Sequence, residues 1–186
     1  MLTELLTKKH TKNFYVYDVD GSGYVEEADL QRWAKNLAQL RDWQPGTLEF
    51  ENILAKFKDI WTNFWQPADI NDDGKVSLQE YLKVVEVSVD NFPNSREMQE
   101  SHTAKANTIF SILDADNDGT ISQSEYIQFC RAIGLDEATA KSAFIKLDGD
   151  GKGYISREEY LQRSQDFHVS NDPDALGNWL YGSYEI

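Results

Sequence analysis

Large apolar residues recur at the same offsets around four short acidic segments of the chain. Four residues before each segment stands an aromatic residue: Phe14, Trp65, Phe110 and Phe144. One residue after each segment stands another large apolar residue: Leu30, Tyr81, Tyr126 and Tyr160. In the first three repeats a further apolar residue follows three positions later. Spacings of three and four residues are typical of one face of an α-helix, so the pattern predicts four helix–loop–helix units.

Each acidic segment also contains one β-branched residue, always at its eighth position. These residues are Val25, Val76, Ile121 and Ile155. Because β-branched side chains favour extended backbone, we predict a short strand in every loop. Strands of this kind would join the loops in pairs through two-stranded sheets.

The four segments are twelve residues long and align without gaps at positions 18–29, 69–80, 114–125 and 148–159. Their pattern matches the EF-hand calcium loop, with departures in the first and fourth. Calcium requires six to eight oxygen ligands, and alternate loop positions supply them. The sixth position needs a sharp bend with positive φ, and it is glycine in every repeat.

Loops two and three carry complete sets of predicted ligands. In loop two these are Asp69, Asn71, Asp73, the Lys75 carbonyl and Glu80. In loop three they are Asp114, Asp116, Asp118, the Thr120 carbonyl and Glu125. Ser122 is a candidate for contact with the ion through water. Both loops are therefore predicted to bind Ca²⁺.

Loops one and four depart from the pattern. The predicted ligands of loop one are Asp18, Asp20, Ser22, the Tyr24 carbonyl, Glu26 and Asp29. Asp29 replaces the usual glutamate and is one methylene shorter, which makes Mg²⁺ a second candidate ion there. The predicted ligands of loop four are Asp148, Asp150, the Tyr154 carbonyl and Glu159, while Lys152 occupies a ligand position with a cation. The sequence leaves the occupancy of loop four open, so three to four calcium ions are expected.

The spacing of the loops indicates two pairs of units. We place an N-terminal pair at residues 1–92 and a C-terminal pair at residues 93–186, with breaks at Pro45-Gly46 and at 90–95. A tail at 167–186 follows the last helix. It carries Leu176, Trp179, Leu180 and Tyr181, and we expect it to dock against the body.

The amino-acid composition limits the binding partners and the cellular compartment that we expect for this protein. The 32 acidic and 18 basic residues give a net charge of −14, which disfavours nucleic acid and anionic membranes as partners. Cys130 is the only cysteine, and its place among apolar residues predicts a core position. No signal-peptide pattern, catalytic motif or long apolar stretch is present. We therefore expect a cytoplasmic, monomeric protein that is not an enzyme.

Four loops, aromatic-rich helices and the segment Asn-Asp-Pro…Asn-Trp-Leu-Tyr-Gly near the C-terminus resemble the sarcoplasmic calcium-binding protein/calerythrin family. The resemblance implies an all-α EF-hand fold: four helix–loop–helix units in two pairs, packed into one compact body. It also implies the role of a cytosolic calcium buffer. A calcium sensor that regulates a protein partner is the alternative, although sensors favour methionine-rich grooves and this chain has only Met1 and Met98.

The chain also resembles the coelenterazine-dependent photoproteins, which share this architecture and use histidines around an internal cavity. His10 stands where one such histidine is expected, but Ser164 stands at the position of another. Binding of a small molecule is therefore a third, minor hypothesis. The three histidines, His10, His102 and His168, lie far apart in the sequence and show no zinc-binding spacing.

Overall fold

The helix–loop–helix pattern occurs four times in the folded chain. The computed structural model describes residues 1–184. Its α-helices are α1 (Glu4–Tyr17), α2 (Glu27–Leu40), α3 (Leu48–Ile60), α4 (Leu78–Asn91), α5 (Arg96–Leu113), α6 (Gln123–Ala132), α7 (Glu137–Leu147) and α8 (Arg157–Val169). A π-helical turn (Trp61–Trp65) extends α3, and short 3₁₀ segments lie at Gln66–Ala68, Phe92–Asn94 and Leu176–Trp179. None of the helices described combines the length and the apolar character needed to cross a membrane.

The loops meet in pairs through three-residue strands. These are β1 (Tyr24–Glu26), β2 (Lys75–Ser77), β3 (Thr120–Ser122) and β4 (Tyr154–Ser156). β1 pairs antiparallel with β2, so that Val25 lies opposite Val76. β3 pairs in the same way with β4, which places Ile121 opposite Ile155. All four side chains are buried, and the predicted strand pairings are confirmed.

The second helix of each of the last three units begins inside its loop. Ser77, Ser122 and Ser156 are the N-cap residues, and each side chain accepts a hydrogen bond from the backbone N–H three residues later. The glutamate at that later position accepts in turn from the N-cap backbone N–H. This capping box satisfies two of the helix's free donors and makes the twelfth loop residue part of the helix.

The two halves share one core, which is centred on Trp33 of α2. Its ring lies 4.6 Å from that of Tyr17, 5.1 Å from Phe57 and 5.3 Å from Phe129, measured between centroids. All four side chains are 2% exposed or less. Because Phe129 belongs to α6, the apolar face of the first half packs directly on the second. The predicted compact body and EF-hand architecture are therefore confirmed.

Two basic residues of the first half cap the end of α5. The Arg41 guanidinium donates hydrogen bonds to the carbonyls of Ile112 and Leu113 at 2.8 and 3.1 Å. Lys56 Nζ donates to the Ser111 carbonyl at 2.7 Å. Cations are favourable at a helix C-terminus, where carbonyls lack partners within the helix. These contacts attach the first half to the helix that leads into loop three.

The C-terminal segment packs against the second half. Tyr126 OH lies 3.1 Å from both the Trp179 and the Leu180 carbonyl. The ring of Tyr181 is 2% exposed and lies 5.1 Å from that of Phe167. Trp179 is only partly buried, so its side chain is less enclosed than we expect for the whole apolar set. Residues 185 and 186 of the predicted tail lie outside the described range, and the boundary at residues 92–93 stays a prediction.

A buried lysine joins the two ends of the chain. Lys9 of α1 is fully buried, and its Nζ donates to the carbonyls of Asp166 and Ser170 at 2.9 and 2.7 Å. A third bond of 3.0 Å reaches Oδ1 of Asn178, whose amide group donates to two further carbonyls near the C-terminus. A buried ammonium is tolerated only when its donors are satisfied, and here three acceptors surround it.

Replacement of this lysine should loosen both ends of the chain. We expect Lys9→Met to lower the free energy of unfolding by about 2–4 kcal/mol, because buried acceptors lose a charged donor. The matched control is Lys35→Met at an exposed position of α2, which should change stability by less than about 0.5 kcal/mol. Urea unfolding in excess calcium measures both. Equal stability of the two variants would show that the Lys9 contacts do not hold the C-terminal segment.

Candidate metal centres

Loop three gathers carboxylates around a common point. Oxygens of Asp114, Asp116 and Asp118 all lie within 4.8 Å of one another. Oδ1 of Asp114 is buried and has no hydrogen-bond partner in the described part of the chain. Burial raises the pKa of Asp114, and the nearby charges of Glu125, Asp118 and Asp116 raise it further. A cation held among these oxygens would satisfy the buried atom and relieve the repulsion, so the residues present fit a calcium ion.

Backbone donors orient the first and last carboxylates of loop three. Gly119 N–H donates to Asp114 Oδ2 at 3.2 Å. Glu125 reaches back across the loop, where Oε1 accepts from Ala115 N–H at 2.7 Å and Oε2 from Ser122 N–H at 2.8 Å. The Ser122 hydroxyl also donates to Oε2 at 2.8 Å, so its side chain serves Glu125 and the helix cap. The twelfth residue thus returns to the start of the loop, as closure of a calcium site requires.

Loop two has the same backbone arrangement. Gly74, with φ of +84°, donates its N–H to Asp69 Oδ2 at 2.8 Å. Asn71 Oδ1 accepts from the N–H of Asp73 at 2.9 Å. Hydrogen bonds from the backbone and side chain of the N-cap serine lower the pKa of Glu80, which keeps this carboxylate ionised. Within residues 1–184, no basic side chain forms an ion pair with the predicted ligands of loops two and three.

A basic side chain forms ion pairs with the predicted ligands of loop one. Asp18, Asp20 and Asp29 place oxygens within 4.8 Å of one another. Arg32, one turn into α2, lies 2.8 Å from Asp20 Oδ2 and 2.9 Å from Asp29 Oδ1. Its guanidinium therefore bridges loop positions three and twelve. Burial raises the pKa of Asp29, whose side chain is only 1% exposed.

The other predicted ligands of loop one lie near its end. Ser22 Oγ is within hydrogen-bond distance, 3.2 Å, of the Tyr24 carbonyl. Glu26 is the N-cap residue of α2, at the position where the other three loops have serine. Its backbone N–H donates to Asp29 Oδ2 at 2.9 Å. Asp29 therefore accepts the hydrogen bond from the N-cap backbone N–H that glutamate accepts in the other three loops.

Loop four holds a cation of its own as well. Lys152 Nζ lies 3.3 Å from Asp150 Oδ2 and forms an ion pair with Glu159 Oε1. Gly153 N–H donates to Asp148 Oδ2 at 2.7 Å, as in the other loops. The ammonium bridges positions three and twelve, the same two positions that the guanidinium bridges in loop one. In both loops a basic side chain competes with a metal ion for two of its predicted ligands.

Comparison of the sequence with protein-family models agrees with the repeated loop geometry. The model of the EF-hand domain pair matches residues 7–86 and 103–165, which is more than half of the chain. The chain belongs to the EF-hand family. It is a calcium-binding EF-hand protein, and the function predicted from its loops is confirmed at this level.

Two known EF-hand proteins are similar to this chain in sequence. Calerythrin of Saccharopolyspora erythraea is 25% identical over 186 residues, covering 95% of this chain and all of calerythrin. The sarcoplasmic calcium-binding protein beta chain of Penaeus sp. is 29% identical over 126 residues, covering 62% of this chain and 60% of that protein. The predicted resemblance to the sarcoplasmic calcium-binding protein/calerythrin family is confirmed.

Solved structures show the same EF-hand fold. The calcium-loaded apo form of the coelenterazine-binding protein of Renilla muelleri superposes with a TM-score of 0.79, at 23% identity, and covers 98% of this chain and 99% of that one. A Streptomyces coelicolor calcium-binding protein gives a TM-score of 0.72 at 18% identity, with 90% and 99% covered. At these identities the likeness shows the fold alone.

Sequence reasoning overlooked Arg32 and the serine caps. Arg32 stands three residues after Asp29, a spacing at which helical side chains meet, so an ion pair could have been found there. The capping boxes follow from the Ser-x-x-Glu pattern at loop positions nine and twelve. The pairing of Lys152 with Glu159 has a weaker signal, because their separation of seven residues includes the strand and the start of a helix.

Removal of the ammonium from the fourth EF-hand should strengthen its binding of calcium. We expect Lys152→Met to raise the calcium affinity of loop four about tenfold, since a part-exposed competing charge is lost. Lys152→Asp should raise it further because it also adds a ligand oxygen. Calcium titration followed by NMR at the Gly153 amide reports on this loop alone.

Lys75→Met in loop two is the matched control. Position seven contributes only its backbone carbonyl, so removal of this charge should leave the Gly74 response within about threefold of wild type. If neither substitution of Lys152 tightens the response of Gly153, the Lys152 ion pairs do not limit binding in loop four.

Proposed function

We propose that this calcium-binding EF-hand protein acts as a calcium buffer in the cytoplasm. The packing of its two halves against each other is the observation that carries the proposal. A sensor exposes an apolar groove when it binds calcium. Here the inner faces of both halves form one core, in which Trp33 contacts Phe129 and both are buried. Opening either half would expose large aromatic surfaces, at a cost of about 25 cal/mol per Å².

The ends of the chain add to this closure. Lys9 bonds α1 to α8 and to the segment that follows it. Tyr181 lies against α8 and is buried. A rigid, tethered body suits a protein that takes up calcium without presenting a new surface.

The predicted loop ligands are proposed to hold three to four ions. Carboxylates that form no ion pair with a basic residue of the described range support calcium binding in loops two and three. The shorter Asp29 supports a choice between Ca²⁺ and Mg²⁺ in loop one, since Mg²⁺ accepts a smaller, octahedral ligand set. The ion pairs of Lys152 support the weakest binding in loop four. The buffer would therefore respond over a range of calcium concentrations.

A calcium sensor with a protein partner is the second candidate. Its support is the fold shared with the Streptomyces coelicolor protein, whose structure is described as a basis for prokaryotic calcium-mediated regulation. The third candidate is a role in binding a small molecule. The Renilla muelleri neighbour is a coelenterazine-binding protein. In this chain Ser164 stands where the photoprotein resemblance calls for a histidine, and aromatic rings fill the core.

The free cysteine and the net charge support the proposed compartment and the monomeric state. Cys130 is free and buried, as expected for a core residue in a reducing compartment. A net charge of −14 opposes self-association, which supports a monomer. Binding of ions, rather than catalysis, is the activity that the loops support.

Calcium should leave the exposed apolar surface of a buffer almost unchanged. We expect the fluorescence of the dye ANS with the calcium-loaded protein to stay within about twofold of the calcium-free value. Retention on a hydrophobic column should also be independent of calcium. A several-fold rise in fluorescence together with calcium-dependent retention would favour the sensor instead.

A longer side chain at the end of loop one should change its ion preference. We expect Asp29→Glu to weaken magnesium competition at this loop several-fold, because glutamate can offer calcium two oxygens. The measurement is calcium titration at the Gly23 amide with and without millimolar magnesium. Asp59→Glu, at an exposed position of α3, is the control and should leave the competition unchanged. Unaltered competition in Asp29→Glu would show that this carboxylate does not set ion choice.

A further inference from the structure

The three histidines of the chain converge on one cleft away from the calcium loops. His10 comes from α1, His102 from α5 and His168 from α8. The ring of His168 lies 5.6 Å from that of His10 and 5.3 Å from that of His102, between centroids. All three line a cavity of about 240 Å³ that α4 and α5 also border. Their separation in the sequence concealed this cluster.

The walls of the cleft are mainly apolar and partly aromatic. Phe64, Val85, Val89, Phe92 and Met98 contribute to them. The ring of Phe92 meets that of His102 edge-to-face at 5.6 Å. The π-helical turn Trp61–Trp65 supplies Phe64, and such turns are frequent at functional sites. An aromatic ligand could pack against both the edges and the faces of these rings.

Lys105 is the charged residue of this lining. The chain has 32 acidic residues, yet none of the described residues that line the cleft is an aspartate or a glutamate. Within residues 1–184, no carboxylate forms an ion pair with Lys105. Its Nζ instead lies 5.6 Å from the ring centroid of Phe64 and 5.9 Å from that of Tyr17. Burial lowers the pKa of Lys105 to about 8, so the ammonium remains mostly protonated at neutral pH, and no residue of the described range supplies its counter-ion.

The neighbouring imidazoles cannot serve as that counter-ion, because a histidine side chain is either neutral or cationic. Burial lowers the pKa of His10 and of His102 to about 4, and the charge of Lys105 acts in the same direction. The pKa of His168 is lowered well below its usual value by the same two effects. His168 Nδ1 lies 2.8 Å from the Ser164 carbonyl, which can only accept, so Nδ1 carries the proton. Its Nε2 is therefore an acceptor, and it is buried without a hydrogen-bond partner among residues 1–184.

We propose that this cleft binds a small aromatic carboxylate, with the carboxylate on Lys105 and the ring between the valine and phenylalanine side chains. An anion would pair with the Lys105 ammonium through a charge-assisted hydrogen bond. The volume lies just below the range of about 300–1,000 Å³ typical of ligand pockets, which restricts the ligand to a small molecule. The site is separate from the predicted calcium ligands, and the proposal does not depend on the buffer role.

Three ligands with the same phenylpropyl carbon skeleton test the preference for an anion. The probes are 3-phenylpropanoate, 3-phenylpropan-1-ol and 3-phenylpropylamine, titrated calorimetrically into the full-length, calcium-loaded protein. We expect the carboxylate to bind at least tenfold more tightly than the alcohol, and the amine to bind most weakly. The net charge of −14 would produce the opposite order for non-specific binding.

Two variants connect the preference to the cleft. Lys105→Met should weaken carboxylate binding at least tenfold and leave the alcohol within about twofold, whereas the control Lys35→Met should change neither. Ser101→Trp, at an exposed position of the lining, should obstruct the cleft and weaken all three probes without a change in the core. If Lys105→Met does not fold, NMR of the wild-type protein replaces it: the carboxylate should shift the resonances of His168 and Val89.

Several results would overturn the proposal. One is equal affinity for the alcohol and the carboxylate. Others are a preference for the carboxylate that survives in Lys105→Met, tight binding that Ser101→Trp leaves intact, and no detectable binding of the carboxylate at millimolar concentration. Binding without shifts of the cleft resonances would place the carboxylate elsewhere on the protein and would also overturn it.

Discussion

Carboxylates crowded into a twelve-residue loop repel one another, and each of the four loops must offset that repulsion. Backbone N–H groups do part of this in every loop: the sixth-position glycine donates to the first aspartate in all four. Beyond that the loops divide. Among the described residues, the acidic ligands of loops two and three have no basic partner, and one buried oxygen of Asp114 has no hydrogen-bond partner. Loops one and four carry their own cation instead.

The four EF-hands share the helix–loop–helix arrangement but differ in whether a basic side chain pairs with their carboxylates. A metal ion entering loops two or three meets uncompensated negative charge. In loop one or four it must first displace Arg32 or Lys152 from the third and twelfth positions. This difference in pairing comes from one basic side chain per loop, while the hydrogen bond from the sixth-position glycine to the first aspartate is common to all four. Graded affinity among the loops can therefore arise without any change in the fold.

The loops are coupled to the body at several points. The twelfth residue of a loop is also the third residue of a helix, and the eighth is part of a strand that joins a second loop. Arg41 and Lys56 extend this coupling from the first half to the helix that precedes loop three. An ion that binds only the folded state stabilises the whole protein through such links. The histidine cleft lies between α4 and α5, beside the junction of the halves, where the charge of Lys105 has no carboxylate partner within residues 1–184.

The sequence by itself determined the four loops, their predicted ligands, the strand pairing and the all-α class. The loops, their predicted ligands and the helices depend on spacing within a few residues, such as the position of the glycine bend, so the local pattern is enough to predict them. The strand pairing joins loops that lie far apart in the chain, and it could be predicted because a β-branched residue recurs at the same position of every loop. The tertiary structure decided the other contacts between distant parts of the chain. Lys9 bonds to Asn178 across 169 positions, and three histidines from separate helices meet in one cleft. Such contacts follow from how the helices pack, and helix packing depends on the shape of the whole core rather than on any one segment.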